Sequence, residues 1–161
     1  MKQLDSYLND HLAGSVGALE LLDHLVKLYD RKPLAKFFAR LRDEIGADQK
    51  TLQELMRTLG TKQSSIRRAG AWVAEKFSQA GFAIAGDEVG GLDLLLALET
   101  LEMGISGKKL LWRALAAADV PRTADIDFVE LEQGAEEQIA RVEVERLRAA
   151  REAFSGTDAK S

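Results

Sequence analysis

The stretch Ile45-Gly46-Ala47-Asp48 decides our prediction of the fold, because Gln133-Gly134-Ala135-Glu136 repeats its Gly-Ala-acid pattern 88 residues later (133 − 45 = 88). Six further pairs of residues share this offset, and they include the only two prolines of the chain. They are Leu4 and Leu92, Leu8 and Leu96, His11 and Glu99, Leu22 and Leu110, Pro33 and Pro121, and Leu59 and Leu147. The sequence therefore predicts two copies of one helical hairpin, which span residues 4–59 and 92–154.

The composition indicates an all-α protein. The 161 residues suffice to bury a substantial core, and we predict a single domain of residues 1–154 followed by a flexible tail, 155–161. Leu, Ala and Glu are common whereas β-branched and aromatic residues are few, a balance that favours helix. The chain has no cysteine, which excludes disulfide bonds and thiolate chemistry.

Charge and hydropathy limit the partners that the chain is expected to bind. A net charge of −4 argues against nucleic acid, because binding to phosphates requires a dense basic surface. Met1 is not followed by the apolar run of a signal peptide, and no segment has the apolar length of a membrane span. We therefore predict a cytoplasmic protein that binds neither nucleic acid nor a membrane.

Apolar residues at alternating spacings of three and four predict four helices. The first helix spans residues 4–29, and the second spans 33–59, with Pro33 in its first turn and Gly60 ending it. The third spans 92–118 and carries the stripe Leu94, Leu98, Leu101, Ile105, Trp112 and Leu115. The fourth follows Pro121, with Thr123 or Asp125 as its cap, and runs to residue 154.

The 60–91 segment is longer than a hairpin link requires, so we predict a crossover along the bundle. It is expected to contain a short helix at about 65–79, with Trp72 and Phe77 packed on the bundle.

Small residues cluster in the first and third predicted helices. They are Ala13, Gly14, Ser15, Gly17 and Ala18 in the first helix, and Gly104, Ser106 and Gly107 in the third. Glycine within a helix costs roughly 1 kcal/mol relative to alanine, a cost that a close approach of two backbones would offset. We therefore predict that these two helices cross in tight contact. The alternative is a slot for a ligand beside the glycines.

Four ionisable residues lie on the apolar arcs of the predicted helices, one on each helix. They are His11, Asp48, Glu99 and Glu136, with Glu44, Glu102 and Glu132 near the same arcs. An unpaired buried charge costs several kcal/mol, so these groups should find partners, exchange protons or hold a cation. We expect His11 to be the partner of Asp48 in the core, with Tyr7, Ser15 or Tyr29 of the same helix as alternatives. Lys108 and Lys109 are expected to lie on a solvated shoulder of the third helix.

Two hairpins joined by a long crossover, with acids directed inward, resemble the ferritin-like superfamily of up-down-down-up four-helix bundles. In that family the first helix of each hairpin supplies a Glu and the second supplies Glu-x-x-His. Glu99 matches one first-helix acid and His11 replaces the other, while Glu136 and Asp48 match the second-helix acids. The histidines would fall at Thr51 and Ile139, so both imidazoles of the family's two-metal site are missing.

Three functions follow from these observations. The first is a non-catalytic structural or protein-interaction role, including a homodimer, with a polar layer left from a metal-binding ancestor and no cofactor. The second is a metal-dependent oxidase or metal-storage protein that holds one iron, manganese or zinc ion. Its candidate ligands are His11, Asp48, Glu99 and Glu136, with Glu44, Glu102 and Glu132 as second choices. The third is a small-molecule binder that uses the glycine-lined groove or the region around Trp72 and Phe82.

Overall fold

The computed structural model describes residues 2–63 and 91–155, and these ranges contain four α-helices and no strand. They are α1 (Lys2–Leu28), α2 (Pro33–Leu59), α3 (Gly91–Ala117) and α4 (Phe128–Phe154). The prediction of an all-α, four-helix arrangement is confirmed. The predicted crossover helix with Trp72 and Phe77, the region around Phe82, and the tail from residue 156 lie outside the described residues.

Local sequence signals fix the two ends of α2 as predicted. Pro33 occupies the first turn, where its missing N–H leaves no hydrogen bond unmade. Gly60 follows the last turn with φ 73° and ψ 18°, in the left-handed region that favours glycine. Its N–H donates to Arg57 O at 3.1 Å, and the N–H of Thr61 donates to Met56 O at 2.9 Å.

The predicted start of α4 is wrong. Pro121 lies in the link after α3, in which Asp119 and Arg122 have positive φ angles of 45° and 66°. The cap is Asp127, whose Oδ1 accepts a hydrogen bond from the N–H of Glu130 at 2.9 Å. Pro33 thus begins a helix whereas Pro121 does not, so these two prolines, which the 88-residue offset pairs, do not occupy equivalent places in α2 and α4.

Burial also departs from that offset in the first helix of each hairpin. Leu22 is fully buried, whereas its predicted counterpart Leu110 is 56% exposed. Leu8 is fully buried, whereas Leu96 is only half-buried. The 88-residue register therefore does not predict which side chains enter the core.

The core consists of two apolar clusters that together involve all four helices. The Phe38 cluster joins residues of the second half of α1, the first half of α2, α3 and α4, and includes Leu22, Phe38, Ile45, Leu98, Ile105 and Val142. The Trp112 cluster joins the start of α1 to the ends of α2 and α3 and the start of α4, and includes Leu8, Leu52, Leu55, Trp112 and Phe128. Each fully buried side chain of this size contributes about 1.5–3 kcal/mol to folding.

The helices pack mainly as two pairs, α1 with α2 and α3 with α4, and α1 has a smaller interface with α3. Within residues 2–63 and 91–155, no helix combines the length and the apolar character needed to cross a membrane.

Candidate functional site

Three polar side chains occupy core positions, and two of them, Asp48 and Lys108, lie where the two apolar clusters meet. Asp48 lies between Ile45 and Leu52 on α2, and Lys108 lies between Ile105 and Trp112 on α3. The third is Gln138, which lies between Ala135 and Val142 on α4. All three follow the three-four spacing of their apolar neighbours, which turns them toward the interior.

These side chains form one hydrogen-bonded group, the Asp48–Lys108–Gln138 network. The ammonium of Lys108 donates to Asp48 Oδ2 and to Gln138 Oε1, and Gln138 Nε2 donates to Asp48 Oδ2 at 3.2 Å. The Lys108 and Asp48 side chains are 14% and 18% exposed, and Gln138 is 4% exposed. The prediction that Lys108 is solvated is therefore wrong, and it is Lys108 that pairs with Asp48.

Burial determines the protonation behaviour of Lys108. Loss of hydration lowers the pKa of its ammonium, and this effect outweighs the opposing charge and hydrogen bond of Asp48 and the charge of Glu44. A buried cation of this kind is retained when its hydrogen bonds are made, as they are here by a carboxylate and an amide oxygen.

A cavity of about 560 Å³ lies between α1, α2 and α3 and reaches Asp48 and Lys108. Its walls are mostly aliphatic, and include Leu21, Ile45, Leu52, Leu101, Ile105 and Leu111. Gly14 and Gly104 on its lining are exposed whereas Gly17 is buried, so the cavity extends from the surface into the core.

The glycines of α1 and α3 line this cavity instead of forming a tight helix crossing. A Cβ atom added at Gly14, Gly104 or Gly107 would meet no atom within 4 Å. The predicted close contact of the two backbones at these glycines is therefore wrong. The arrangement matches the alternative, a slot beside the glycines, because the missing side chains leave room between the helices.

Polar groups on the cavity wall are few, and most are hydrogen-bonded within the protein. Gln49 Nε2 donates to Ser15 Oγ at 2.9 Å, and Ser15 Oγ donates to Leu12 O at 2.7 Å. The hydroxyl of Thr100 donates to Leu96 O at 2.9 Å. Trp112 differs, because it is 1% exposed and its Nε1–H has no acceptor within the described part of the chain.

His11 lines the cavity at the α1 side, next to Asp10. Its ring packs edge-on against Tyr7, with the ring centroids 4.6 Å apart. Burial lowers the pKa of the imidazole, and the charge of Asp10 opposes this effect only in part. His11 is therefore neutral at pH 7 and does not serve as the cationic partner of Asp48.

The four predicted metal ligands are not brought together. His11 and Asp48 line the cavity, whereas Glu99 and Glu136 do not. Glu99 is 41% exposed and lies 3.5 Å from Arg146, and Glu136 is 52% exposed and lies 3.5 Å from Lys109. The prediction that Glu136 lies in the core is wrong, because its side chain points to the surface beside a lysine.

The second-choice acids also have basic partners. Glu44 accepts from Arg40 Nε at 2.9 Å and from Arg141 Nη1 at 3.1 Å. Glu132 accepts from Arg113 Nε at 2.8 Å. Arginines of α2, α3 and α4 thus pair with Glu44 and Glu132, which the sequence offered only as second-choice metal ligands.

Glu102 lies in a cluster of three acids around one arginine. Arg146 Nη2 donates to Glu143 at 2.9 Å, and Arg146 Nε lies 3.6 Å from Glu102. Burial and the charge of Glu143 raise the pKa of Glu102. Within the described ranges, no three His, Cys, Asp or Glu side chains form a group that could hold a metal ion. Among the described residues, the candidate ligands therefore do not form a two-metal centre of the ferritin-like kind.

Sequence reasoning missed Lys108, Gln138, Arg141 and Arg146 as partners of the inward acids. A signal for Lys108 was present in the α3 stripe, which proceeds in steps of three and four and has Lys108 at the step between Ile105 and Trp112. Position 138 on α4 likewise lies three residues after Ala135 and four before Val142, both of which are buried.

Comparison with known proteins found no match: no family model, no curated protein and no solved structure is detectably similar to the chain. Inferences about function therefore rest on the site itself.

Proposed function

We propose that this protein is a non-catalytic binder of a small, mostly apolar molecule, which it holds in the cavity between α1 and α3. The observation that carries this proposal is the glycine-lined cavity of about 560 Å³. Its size falls within the range of about 300–1,000 Å³ that is typical of small-molecule sites, and its aliphatic walls suit an apolar ligand.

The cost of the glycines supports a ligand. Gly14, Gly17, Gly104 and Gly107 all lie within helices, where each destabilises the fold by roughly 1 kcal/mol relative to alanine. At three of them an added Cβ would contact nothing, so no backbone approach compensates for this cost. We infer instead that these glycines leave room for a bound molecule.

The polar network supports a preformed site. Lys108 and Asp48 line the cavity and are fixed by hydrogen bonds to each other and to Gln138. A network that joins α2, α3 and α4 holds the inner wall in one arrangement. A preformed wall lowers the entropic cost of binding, because fewer groups must be ordered.

Binding of the neutral fluorescent probe N-phenyl-1-naphthylamine tests the proposal. We expect wild-type protein to bind the probe and Gly104→Leu, which places a side chain in the cavity, to reduce binding at least about tenfold. Gly134→Leu is the matched control, because Gly134 also lies within a helix with nothing within 4 Å but does not line the cavity. Equal binding by the two variants would refute the proposal.

A structural or interaction role, including a homodimer, is the second candidate, and exposed apolar side chains favour it. Met103 is 68% exposed, and Leu110, two turns further along α3, is 56% exposed. On α4, Val129 and Val144 are 59% and 58% exposed. Light scattering coupled to size-exclusion chromatography tests self-association, and a monomer at all concentrations would exclude the homodimer.

We also propose a distant ferritin-like origin with up-down-down-up topology. It is supported by the Trp112 cluster, in which the start of α1 meets the ends of α2 and α3, as it would if α2 and α3 ran in the same direction. The metal-dependent alternative is tested by elemental analysis of protein purified without chelator. Stoichiometric iron, manganese or zinc that is lost in Asp48→Asn and Glu136→Gln would favour that alternative.

A further inference from the structure

We infer that the ligand of the cavity is a neutral alcohol or phenol with a hydrocarbon body, whose hydroxyl group donates a hydrogen bond to Oδ1 of Asp48. This inference rests on the proposed function, because it names the chemical class of the molecule that the cavity binds. It is carried by the position of Asp48 on the cavity wall and by the different surroundings of its two carboxylate oxygens.

One oxygen of the Asp48 carboxylate makes all of its hydrogen bonds to the described residues. Oδ2 accepts from Lys108 Nζ and from Gln138 Nε2, whereas Oδ1 accepts none from the described part of the chain. A carboxylate can accept about four hydrogen bonds, so Asp48 has capacity for a further donor.

The second oxygen, Oδ1, is accessible. The Asp48 side chain is 18% exposed, and the buried polar atoms that lack a partner among the described residues all belong to other side chains. Oδ1 is not one of these buried atoms, so it keeps its access to solvent. Because Asp48 lines the cavity, a donor on a molecule bound there can reach this oxygen.

Lys108 determines the charge that the donor should carry. Its ammonium and the Asp48 carboxylate form an ion pair, and both residues line the cavity. A second cation at Oδ1 would lie near the Lys108 ammonium and be repelled by it. A neutral hydroxyl adds no charge, and its hydrogen bond to an ionised acceptor is roughly twice as strong as one between neutral groups.

The rest of the wall suits the hydrocarbon body of such a ligand. Leu21, Leu101 and Ile105 line the cavity with aliphatic surface, against which a ring or an alkyl chain can pack. Lys108 and Gln138 hold the carboxylate in place before a ligand binds, so binding does not have to order it. The wall thus matches one hydroxyl group at Asp48 and an apolar remainder.

Displacement of N-phenyl-1-naphthylamine by 4-pentylphenol and by its methyl ether, 4-pentylanisole, tests the inference. The two compounds share a ring and an alkyl chain, but the ether has no hydroxyl to donate. We expect wild-type protein to bind the phenol at least about tenfold more tightly, the effect of a hydrogen bond to a charged acceptor. The ether is the more apolar compound, so hydrophobic binding alone would produce the opposite preference.

Asp48→Asn tests whether Asp48 is the acceptor. Lys108 and Gln138 both donate to the Oδ2 position, so the amide oxygen should take that place and the amide N–H₂ should replace Oδ1. The preference for the phenol should then be lost, because an N–H₂ group cannot accept a hydrogen bond. Asp10→Asn is the matched control, since Asp10 also lines the cavity but is exposed, and this variant should keep the preference.

The wild-type comparison decides the inference even if Asp48→Asn fails to fold. Equal binding of the phenol and the ether, a preference that persists in Asp48→Asn, or a preference lost in Asp10→Asn would overturn the inference while the proposed cavity site survives. Absence of probe binding, or equal binding by Gly104→Leu and Gly134→Leu, would overturn both.

Discussion

The Lys108 ammonium donates a hydrogen bond to Asp48, a residue 60 positions earlier in the chain, at the level where the two apolar clusters of the core meet. Because Asp48 belongs to α2 and Lys108 to α3, this pair connects the two hairpins through the interior. Gln138 extends the connection to α4.

We predict that Asp48→Leu destabilises the protein by about 3 kcal/mol, because it leaves the Lys108 cation buried without its carboxylate. The double variant Asp48→Leu/Lys108→Met should regain most of this loss, since removal of both charges avoids the unpaired ion. Asp48→Asn should be milder than Asp48→Leu, because the amide oxygen still accepts from Lys108. Urea unfolding followed by circular dichroism measures all three.

The neighbouring ion pair Lys109–Glu136 provides the control for these Asp48 and Lys108 variants. Glu136 is 52% exposed, so Glu136→Leu should change stability by about 0.5 kcal/mol or less. If Asp48→Leu and Glu136→Leu were equally mild, the Asp48–Lys108 pair would not be the buried interaction that we describe.

The Asp48–Lys108–Gln138 network could be predicted from the sequence only in part. The sequence identified Asp48 as an acid in the apolar arc of α2, because the helical repeat determines which way a side chain points, whatever its residue type. It did not identify Lys108 as the partner, since pairing depends on which faces of α2, α3 and α4 meet, and periodicity within one helix contains no such information. The expected partner, His11, lies on α1 and is neutral.

Helix boundaries, too, could be predicted where neighbouring residues determine them but not where tertiary contacts do. Pro33 and Gly60 act through their own backbone geometry, so both ends of α2 could be predicted. The start of α4 at Phe128 could not, because Pro121 suits a turn as well as a helix start, and a link that buries Val120 and Thr123 delays the helix. That link packs against the Trp112 cluster, a tertiary effect.

A second prediction concerns the pH dependence of stability through His11. Burial lowers its pKa in the folded protein below the ordinary value of 6.5, so between these two values the unfolded chain binds more protons than the folded one. Stability is therefore lost as the pH falls from 6.5 toward the lowered pKa. His11→Phe, which keeps a ring against Tyr7, should lose less stability than wild type between pH 7.5 and 5. Parallel losses in the two proteins, measured as urea midpoints, would contradict the burial effect.

A third prediction concerns Arg146, which lies among three carboxylates. Arg146→Met leaves Glu99, Glu102 and Glu143 without their shared cation, so their mutual repulsion should raise the pKa of Glu102 further. We expect this variant to be more destabilised at pH 8 than at pH 4.5, where protonation relieves the repulsion. Thermal melts at the two pH values measure this difference.

Arg148→Met is the matched control for Arg146. Arg148 lies on the same helix but contacts only Glu145 among the ion pairs of the described residues, at 2.8 Å. Its loss should change the melting temperature little and by a similar amount at both pH values. A pH dependence as large as that of Arg146→Met would show that the effect is not specific to the three-acid cluster.

A final prediction uses two glycines of α3 that differ in the space around them. Gly104→Ala should stabilise the protein by about 1 kcal/mol, because alanine favours helix and the new methyl group meets nothing within 4 Å. Gly91→Ala should destabilise it, because the added Cβ would lie 3.0 Å from the backbone N and Cα of Ala153 on α4, and neither helix can move without disturbing its packing. Urea unfolding of the two variants measures both changes. A stabilising Gly91→Ala would show that α3 and α4 are less closely packed at this end, and a destabilising Gly104→Ala would show that the space beside Gly104 is filled in the folded protein.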